Sequence, residues 1–197
     1  WDVSNVTSLH AVFLNATQFD RDISGWNVSN VTNMHYTFTG ASGFTADITG
    51  WDTSSATTMR RMFTNNSTFN QDISGWDVSS VQDMQWMFRD TPFNQDISSW
   101  DVSSATDMQL MFLNTPFDQD ISGWDVTSVT NMDYMFDGSA MTHDLSAWCV
   151  SHIPTRPTGF APTGQMNEPL WGLCPGAASP DDIAMTFTTV APGETVQ

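Results

Sequence analysis

The chain contains no lysine and only five arginines in 197 residues, against 22 acidic residues. Its formal net charge at pH 7 is therefore −17. A surface this negative repels phosphate backbones and anionic lipid headgroups, so the composition argues against binding to nucleic acid or to a membrane surface. No apolar run reaches the roughly 18 residues needed to cross a bilayer, so no membrane insertion is expected.

Glutamate and cysteine are also scarce. Of the 22 acids, 20 are Asp, which favours turns and caps where Glu favours helix interiors, so the balance predicts a turn-rich chain. Cysteine occurs only at Cys149 and Cys174, too few for a disulfide-rich scaffold. No signal-peptide pattern opens the chain, which begins in the middle of a repeated motif, and we expect it to be a piece of a longer protein.

Aromatic residues, in contrast, are abundant and periodic. Seven of the nine tryptophans lie at positions 1, 26, 51, 76, 100, 124 and 148, with spacings of 25 residues and then of 24. Internal periods of this length are typical of repeat proteins in which each unit buries its apolar face by stacking on its neighbours. The pattern predicts six full repeats and a partial seventh over residues 1–153, with equivalent tryptophans in one interior column.

Each repeat combines two hydrophobic periods. Trp76 and Val78 alternate with polar residues, which predicts a short strand with both side chains inward. Val81, Met84 and the Met87–Phe88 pair then follow at helical spacing, which predicts a short helical segment. This segment ends where the repeats place residues that tolerate a left-handed backbone, namely Asn15, Gly40, Asn65, Asp90, Asn114 and Gly138. The expected fold class is an α/β solenoid.

The motif F-N-Q-D-I-S-G-W-D-V-S-S-V-x-D-M-x-x-M-F, as in Phe69 to Phe88, resembles the BspA-like bacterial surface repeat. The resemblance covers residues 1 to about 153. It implies a leucine-rich-repeat-like, right-handed coil of short parallel strands and helical segments with a C-terminal cap. It further implies an extracellular, cell-surface location and a role in adhesion or binding, and it supplies no catalytic residues.

The repeat stops after Ile153, where prolines become frequent. Residues 154–175 are predicted to cap the last repeat, and they are similar to the closing segment of the same family. A disulfide between Cys149 and Cys174 would fasten this cap, and two free thiols are the alternative. Residues 176–197 are interpreted as a linker and the start of a following strand or domain.

Stacking would turn each repeat position into a row of side chains. One row precedes the buried Ile or Leu of each repeat and consists of Asp22, Asp47, Asp72, Asp96, Asp120 and Asp144. Our interpretation is that each carboxylate accepts hydrogen bonds from its own turn. The alternative is Ca²⁺ bridging adjacent repeats through Asp72, Asp96 and Asp120. No other cofactor is expected.

A second row consists of Asp2, Asn27, Asp52, Asp77, Asp101 and Asp125, which are predicted to point outward. This flat acidic surface has small neighbours and lacks the large aromatic anchors that dominate binding energy. It could bind cations or a hydroxyl-rich glycan, and solubility explains it equally well.

A third row changes from repeat to repeat while its flanks barely vary. It consists of Ala11, Tyr36, Arg61, Trp86, Leu110 and Tyr134, and we call it the variable row. Arg60 lies beside it and Arg89 lies on the same side. Because Tyr, Trp and Arg are enriched at binding hot spots, the predicted binding residues are Tyr36, Arg60, Arg61, Trp86, Leu110 and Tyr134. The alternative is that these side chains only cover grooves between repeats.

The sequence has no nucleophile elbow, phosphate loop or HExxH motif, and we expect no enzyme activity. The predicted function is an extracellular, cell-surface module that binds a host or neighbouring-cell surface protein or glycan. The alternative is a structural spacer or a module that self-associates through its open N-terminal end.

Overall fold

A computed structural model describes residues 1–176 of the chain. Over these residues there is no helix, and hence none long and apolar enough to cross a membrane, and extended pairing is limited to single bridged residues. Consecutive parallel bridges join the members of one row, namely Ser8, Asn33, Thr58, Asp83, Asp107 and Asn131. The bridged partners are one repeat apart in the sequence, so successive repeats lie side by side and run in the same direction.

Tight turns replace the helical segment predicted for each repeat, and that part of the prediction is wrong. Trp86 and Asp90 have φ angles of 61° and 55°, whereas a right-handed helix needs a negative φ at every residue. The amide N–H groups of Met84, Trp86 and Phe88 donate to carbonyls of the next repeat, at 2.9 to 3.1 Å. These groups therefore hydrogen-bond between repeats instead of within a helix.

The strand predicted at Trp76–Val78 is also absent, although the inward and outward faces are as expected. Trp76 and Val78 are buried and Asp77 is exposed. The Ser79 N–H donates to Asp77 Oδ1 at 3.0 Å, and the Trp76 N–H donates to the Ile73 carbonyl at 3.0 Å. Both hydrogen bonds close local turns, so the backbone here bends instead of pairing as a strand.

Side-chain oxygens close three turns in each repeat. Asp72, Asp77 and Asp83 each accept the backbone N–H of the residue two positions later, at 3.0 Å in every case. The same bonds recur at the equivalent positions of other repeats. The shorter Asp side chain favours this local bond, which explains why the acids are Asp and not Glu.

Aromatic columns fill the interior. Phe13, Phe38, Phe63, Phe88, Phe112 and Phe136 stack with ring centres 5.2 to 5.9 Å apart. Five indole N–H groups each donate to the Ile carbonyl of the preceding repeat, at 3.1 to 3.2 Å, namely those of Trp51, Trp76, Trp100, Trp124 and Trp148. These five tryptophans are buried, whereas Trp1 is 95% exposed. Each indole thus stabilises the junction between two repeats.

Residues 154–175 pack on the C-terminal end of the stack of repeats. The Phe136 and Val150 N–H groups donate to Phe160 and Leu173 carbonyls, as earlier repeats donate to their successors. A disulfide joins Cys149 to Cys174. Arg156 pairs with both carboxylate oxygens of Glu168, at 2.8 and 2.6 Å, which fixes the cap internally. The linker and strand predicted for residues 176–197 lie outside the described residues from 177 onward.

Candidate functional site

Every member of the variable row has a left-handed backbone. The φ angles lie between 54° and 61° at Ala11, Tyr36, Arg61, Trp86, Leu110 and Tyr134. Their N–H groups all donate to a carbonyl of the following repeat or of the cap, at 2.8 to 3.1 Å. The row is therefore held in the same geometry in every repeat while its side chains differ.

A second left-handed row lies four residues further along each repeat and has a different composition. It consists of Asn15, Gly40, Asn65, Asp90, Asn114 and Gly138, with φ angles of 55° to 67°. Asn, Gly and Asp are the residues that adopt this conformation most easily. The variable row instead carries Tyr, Arg, Trp and Leu, for which the conformation is strained. Backbone geometry therefore does not account for these side chains.

Three members of the predicted set come together around Trp86. The Arg61 guanidinium carbon lies 3.9 Å from the Trp86 ring centre and 5.4 Å from that of Tyr36. The Arg89 guanidinium carbon lies 4.4 Å from the Trp86 ring. We call Tyr36, Arg60, Arg61, Trp86 and Arg89 the arginine–aromatic cluster. Arg89 was not among the predicted binding residues, and its position three residues after Trp86 is the signal that could have included it.

The three arginines differ in their ionic partners. Arg60 Nη1 lies 3.9 Å from Asp83 Oδ2, and Arg89 Nε lies 2.8 Å from Asp90 Oδ2. None of the ion pairs within residues 1–176 involves Arg61. The buried Nε atoms of Arg60 and Arg61 have no hydrogen-bond acceptor in the same part of the chain. The cluster thus contains buried guanidinium N–H groups that no described residue accepts from.

The pKa of His35 reflects the burial and the charges around the cluster. The His35 ring stacks on Tyr36 with centres 4.1 Å apart. Burial, followed by the positive charges of Arg60, His10 and Arg61, lowers the pKa of His35 to about 4. The imidazole is therefore neutral at pH 7, and the field around it is positive although the chain is acidic as a whole.

The other two predicted binding residues lie outside the cluster. Tyr134 is 38% exposed, and its ring lies over Gly159 of the cap, where an added Cβ would be 2.3 Å from the ring. Leu110 is half-buried in the repeat between Trp86 and Tyr134. The row therefore has a charged part around Trp86 and a less polar part next to the cap.

The carboxylates predicted as an alternative calcium site are exposed. Asp72, Asp96 and Asp120 each accept the N–H of the serine two residues later, at 2.9 to 3.0 Å. Hydrogen bonds from these serines lower the pKa of all three carboxyls. Within residues 1–176 no group of three His, Cys, Asp or Glu side chains is arranged to hold a metal ion.

The N-terminal end carries a highly exposed aromatic residue, Trp1, which is 95% exposed. A pocket of about 240 Å³ is lined there by Trp1, Phe19, Arg21, Asp22, Ile23 and Trp26. Val12 and Leu14, in the same first repeat, are 47% and 43% exposed. Self-association through this end stays a prediction.

Tandem repeats joined by parallel bridges define the chain as a repeat protein. It belongs to the DUF285 family, described as a Mycoplasma protein of unknown function, whose model matches residues 1–92 and 66–171. The two matches overlap over residues 66–92. No curated protein and no solved structure matches the chain.

Proposed function

We propose that the chain is an extracellular, cell-surface module that binds a surface protein or glycan through the variable row, without catalysis. We further propose that it belongs with the BspA-like surface repeats and adopts a right-handed, leucine-rich-repeat-like solenoid. Its role would be adhesion to a host or neighbouring cell.

The composition of the variable row is the observation that carries the proposal. Strained left-handed positions are occupied by Tyr, Arg, Trp and Leu, while the second left-handed row uses Asn, Gly and Asp. Such strain costs on the order of 1 kcal/mol at each residue and persists where the surrounding structure compensates for it. A binding role explains why these residues are present, since Trp, Tyr and Arg contribute most to protein interfaces.

The proposed location rests on separate support. A structural disulfide between Cys149 and Cys174 is typical of oxidising, extracellular environments. The resemblance of the repeat motif to bacterial surface repeats favours the same location.

An array of glycans and surface proteins, probed with the purified chain, tests the proposal. Hits would be remeasured with the double variant Trp86→Ala, Arg61→Ala. We expect capture to fall by about tenfold or more, because two half-buried contact residues are lost. The thermal midpoint should fall by no more than a few degrees, since both side chains lie outside the buried core.

A matched control removes charge from what we call the acidic row, the outward row of Asp2, Asn27, Asp52, Asp77, Asp101 and Asp125. The double variant Asp77→Asn, Asp101→Asn keeps the side-chain oxygen that accepts each turn's N–H and removes two negative charges. Capture should be retained by this control. Loss of capture in the control, with full capture by the Trp86 and Arg61 variant, would place the binding surface on the acidic row instead.

A further inference from the structure

The arginine–aromatic cluster is a basic patch on a chain that is acidic as a whole. The whole chain carries −17, yet three of its five arginines lie within this cluster. Arg61 is the member without a carboxylate partner in residues 1–176. A guanidinium held in this way suits a planar, two-oxygen anion, because its N–H groups match the carboxylate fork.

The aromatic rings hold the guanidiniums in place. Arg61 and Arg89 both lie within 4.4 Å of the Trp86 ring centre, and His35 stacks on Tyr36. Because guanidinium and imidazole groups already occupy these rings, stacking of a sugar or a base on them is not the main source of binding energy here. Charge and hydrogen bonds are the chemistry that the cluster offers.

The total charge limits what kind of anion can approach. At physiological ionic strength charges are screened beyond about 8 Å, so the field of the cluster is local. Asp83 and Asp90 lie next to Arg60 and Arg89, at 3.9 and 2.8 Å. A polyanion would meet the wider acidic surface as well as these carboxylates, whereas a single carboxylate on a neutral molecule would meet only the two that already pair with Arg60 and Arg89.

The backbone around the cluster argues against a peptide that binds by adding a strand. The N–H groups of Tyr36, Arg61 and Trp86 all donate to carbonyls of the next repeat. Peptides that add a strand to a protein gain affinity from free main-chain groups, and this row offers no free N–H. Recognition must use side chains, and the phenol of Tyr36 suits a hydroxyl of a sugar, whereas the Nε2 atom of His35 is buried.

We propose that the arginine–aromatic cluster binds the carboxylate of an acidic sugar carried by an otherwise neutral glycan. The carboxylate pairs with Arg61, and Arg60 and Arg89 flank it. Trp86 acts as a positioning residue that holds two of the guanidiniums. This inference rests on the proposed function, whose binding surface it assigns to one class of ligand.

A matched pair of sugars tests the inference. Methyl β-glucuronide and methyl β-glucoside differ by a carboxylate in place of a hydroxymethyl group. Each would be titrated into the ¹⁵N-labelled chain while the Trp86 indole N–H signal is followed by NMR, with Trp86→Phe used to assign the signal. We expect a saturable shift with the glucuronide and no saturable shift with the glucoside.

Variants identify the guanidinium involved. Arg61→Gln should weaken glucuronide binding by at least about tenfold, because a hydrogen-bonded charge pair is lost. Arg61→Lys should give an intermediate affinity, since it keeps the charge but not the fork. Arg21→Gln makes the same change of charge at an exposed arginine outside the cluster and should have no effect.

Two further probes can overturn the assignment to a sugar. Acetate supplies the carboxylate alone, and equal affinity for acetate would reduce the cluster to a simple anion site. A capped Gly-Glu-Gly peptide supplies a peptide carboxylate, and tighter binding of this peptide would replace the sugar with an acidic peptide. Equal binding of both sugars, binding of neither, or an Arg61→Gln variant that binds normally would also refute the inference.

The two proposals can fail separately. If an array partner without a carboxylate is captured through Trp86 and Arg61 while the glucuronide does not bind, the proposed function stands and this inference fails. If the glucuronide binds at Arg61 but no surface partner depends on the variable row, the proposed function fails.

Discussion

Replacing Trp100 by Ala should destabilise the chain severely, whereas the same change at Trp1 should do little. Trp100 is 4% exposed, and its indole N–H donates to the Ile73 carbonyl of the preceding repeat at 3.1 Å. Truncating a buried tryptophan costs about 3–5 kcal/mol. The Ile73 carbonyl still accepts the Trp76 N–H, so the lost indole hydrogen bond would add only about 1 kcal/mol. We therefore expect a loss of about 4 kcal/mol or more in the free energy of unfolding.

Trp1 is the matched control because it occupies the same repeat position at the exposed end. It is 95% exposed, and its one aromatic contact is with Trp26, with ring centres 6.2 Å apart. Trp1→Ala should cost less than about 1 kcal/mol. Urea denaturation followed by far-UV circular dichroism measures both variants without depending on the number of tryptophans. Equal costs at the two positions would refute the stacking of repeats through Trp100.

Four further outcomes follow from the same structure. Asn65→Val should cost about 1–2 kcal/mol because φ is 56° there, while Asn65→Gly should be nearly neutral, as measured by urea denaturation. Replacing Cys149 and Cys174 by Ala should cost about 3 kcal/mol and lower the thermal midpoint, since their disulfide closes a loop of 25 residues. Hydrogen bonds from serines lower the folded-state pKa of carboxyls such as Asp96. The stabilisation that these hydrogen bonds contribute is therefore present above the unfolded-state pKa near 3.8 and is lost as the pH falls through the lower folded-state pKa. The urea concentration at the midpoint of unfolding should therefore decrease as the pH falls below about 4, and it should decrease less steeply with pH in Asp96→Asn. Equal slopes in the two proteins would contradict this. Addition of EDTA should leave the thermal midpoint unchanged, and a large fall would restore the calcium interpretation.

The sequence predicted the repeat and its buried residues because both depend on spacing. Val81, Met84 and Phe88 are fully buried, as their periodicity indicated. The same spacing suggested a helix, because inward residues three and four apart fit a helical face. Two left-handed residues per segment, such as Trp86 and Asp90, give the same inward pattern with turns. Apolar periodicity alone cannot separate these two backbones.

The candidate site was predicted in part for a similar reason. Variation among otherwise constant repeats identified the row that contains Arg61 and Trp86. The order of contacts within the row, and the place of Arg89 beside Trp86, depend on side-chain rotamers that no repeat pattern encodes. The left-handed backbone under Trp86 could not be foreseen, because Trp rarely adopts it.

Spin labels in one column would test most directly whether successive repeats stack along a single axis. Gly25, Gly75 and Gly123 occupy equivalent positions, and a Cβ added at each meets no atom within 4 Å, so cysteine can be introduced without distortion. Neighbouring repeats paired as parallel chains are roughly 5 Å apart. Electron–electron distance measurements should therefore give a separation for Gly25→Cys with Gly123→Cys that is roughly 10 Å longer than for Gly25→Cys with Gly75→Cys. Equal separations, or a shorter one for the more distant pair, would contradict the stacked arrangement.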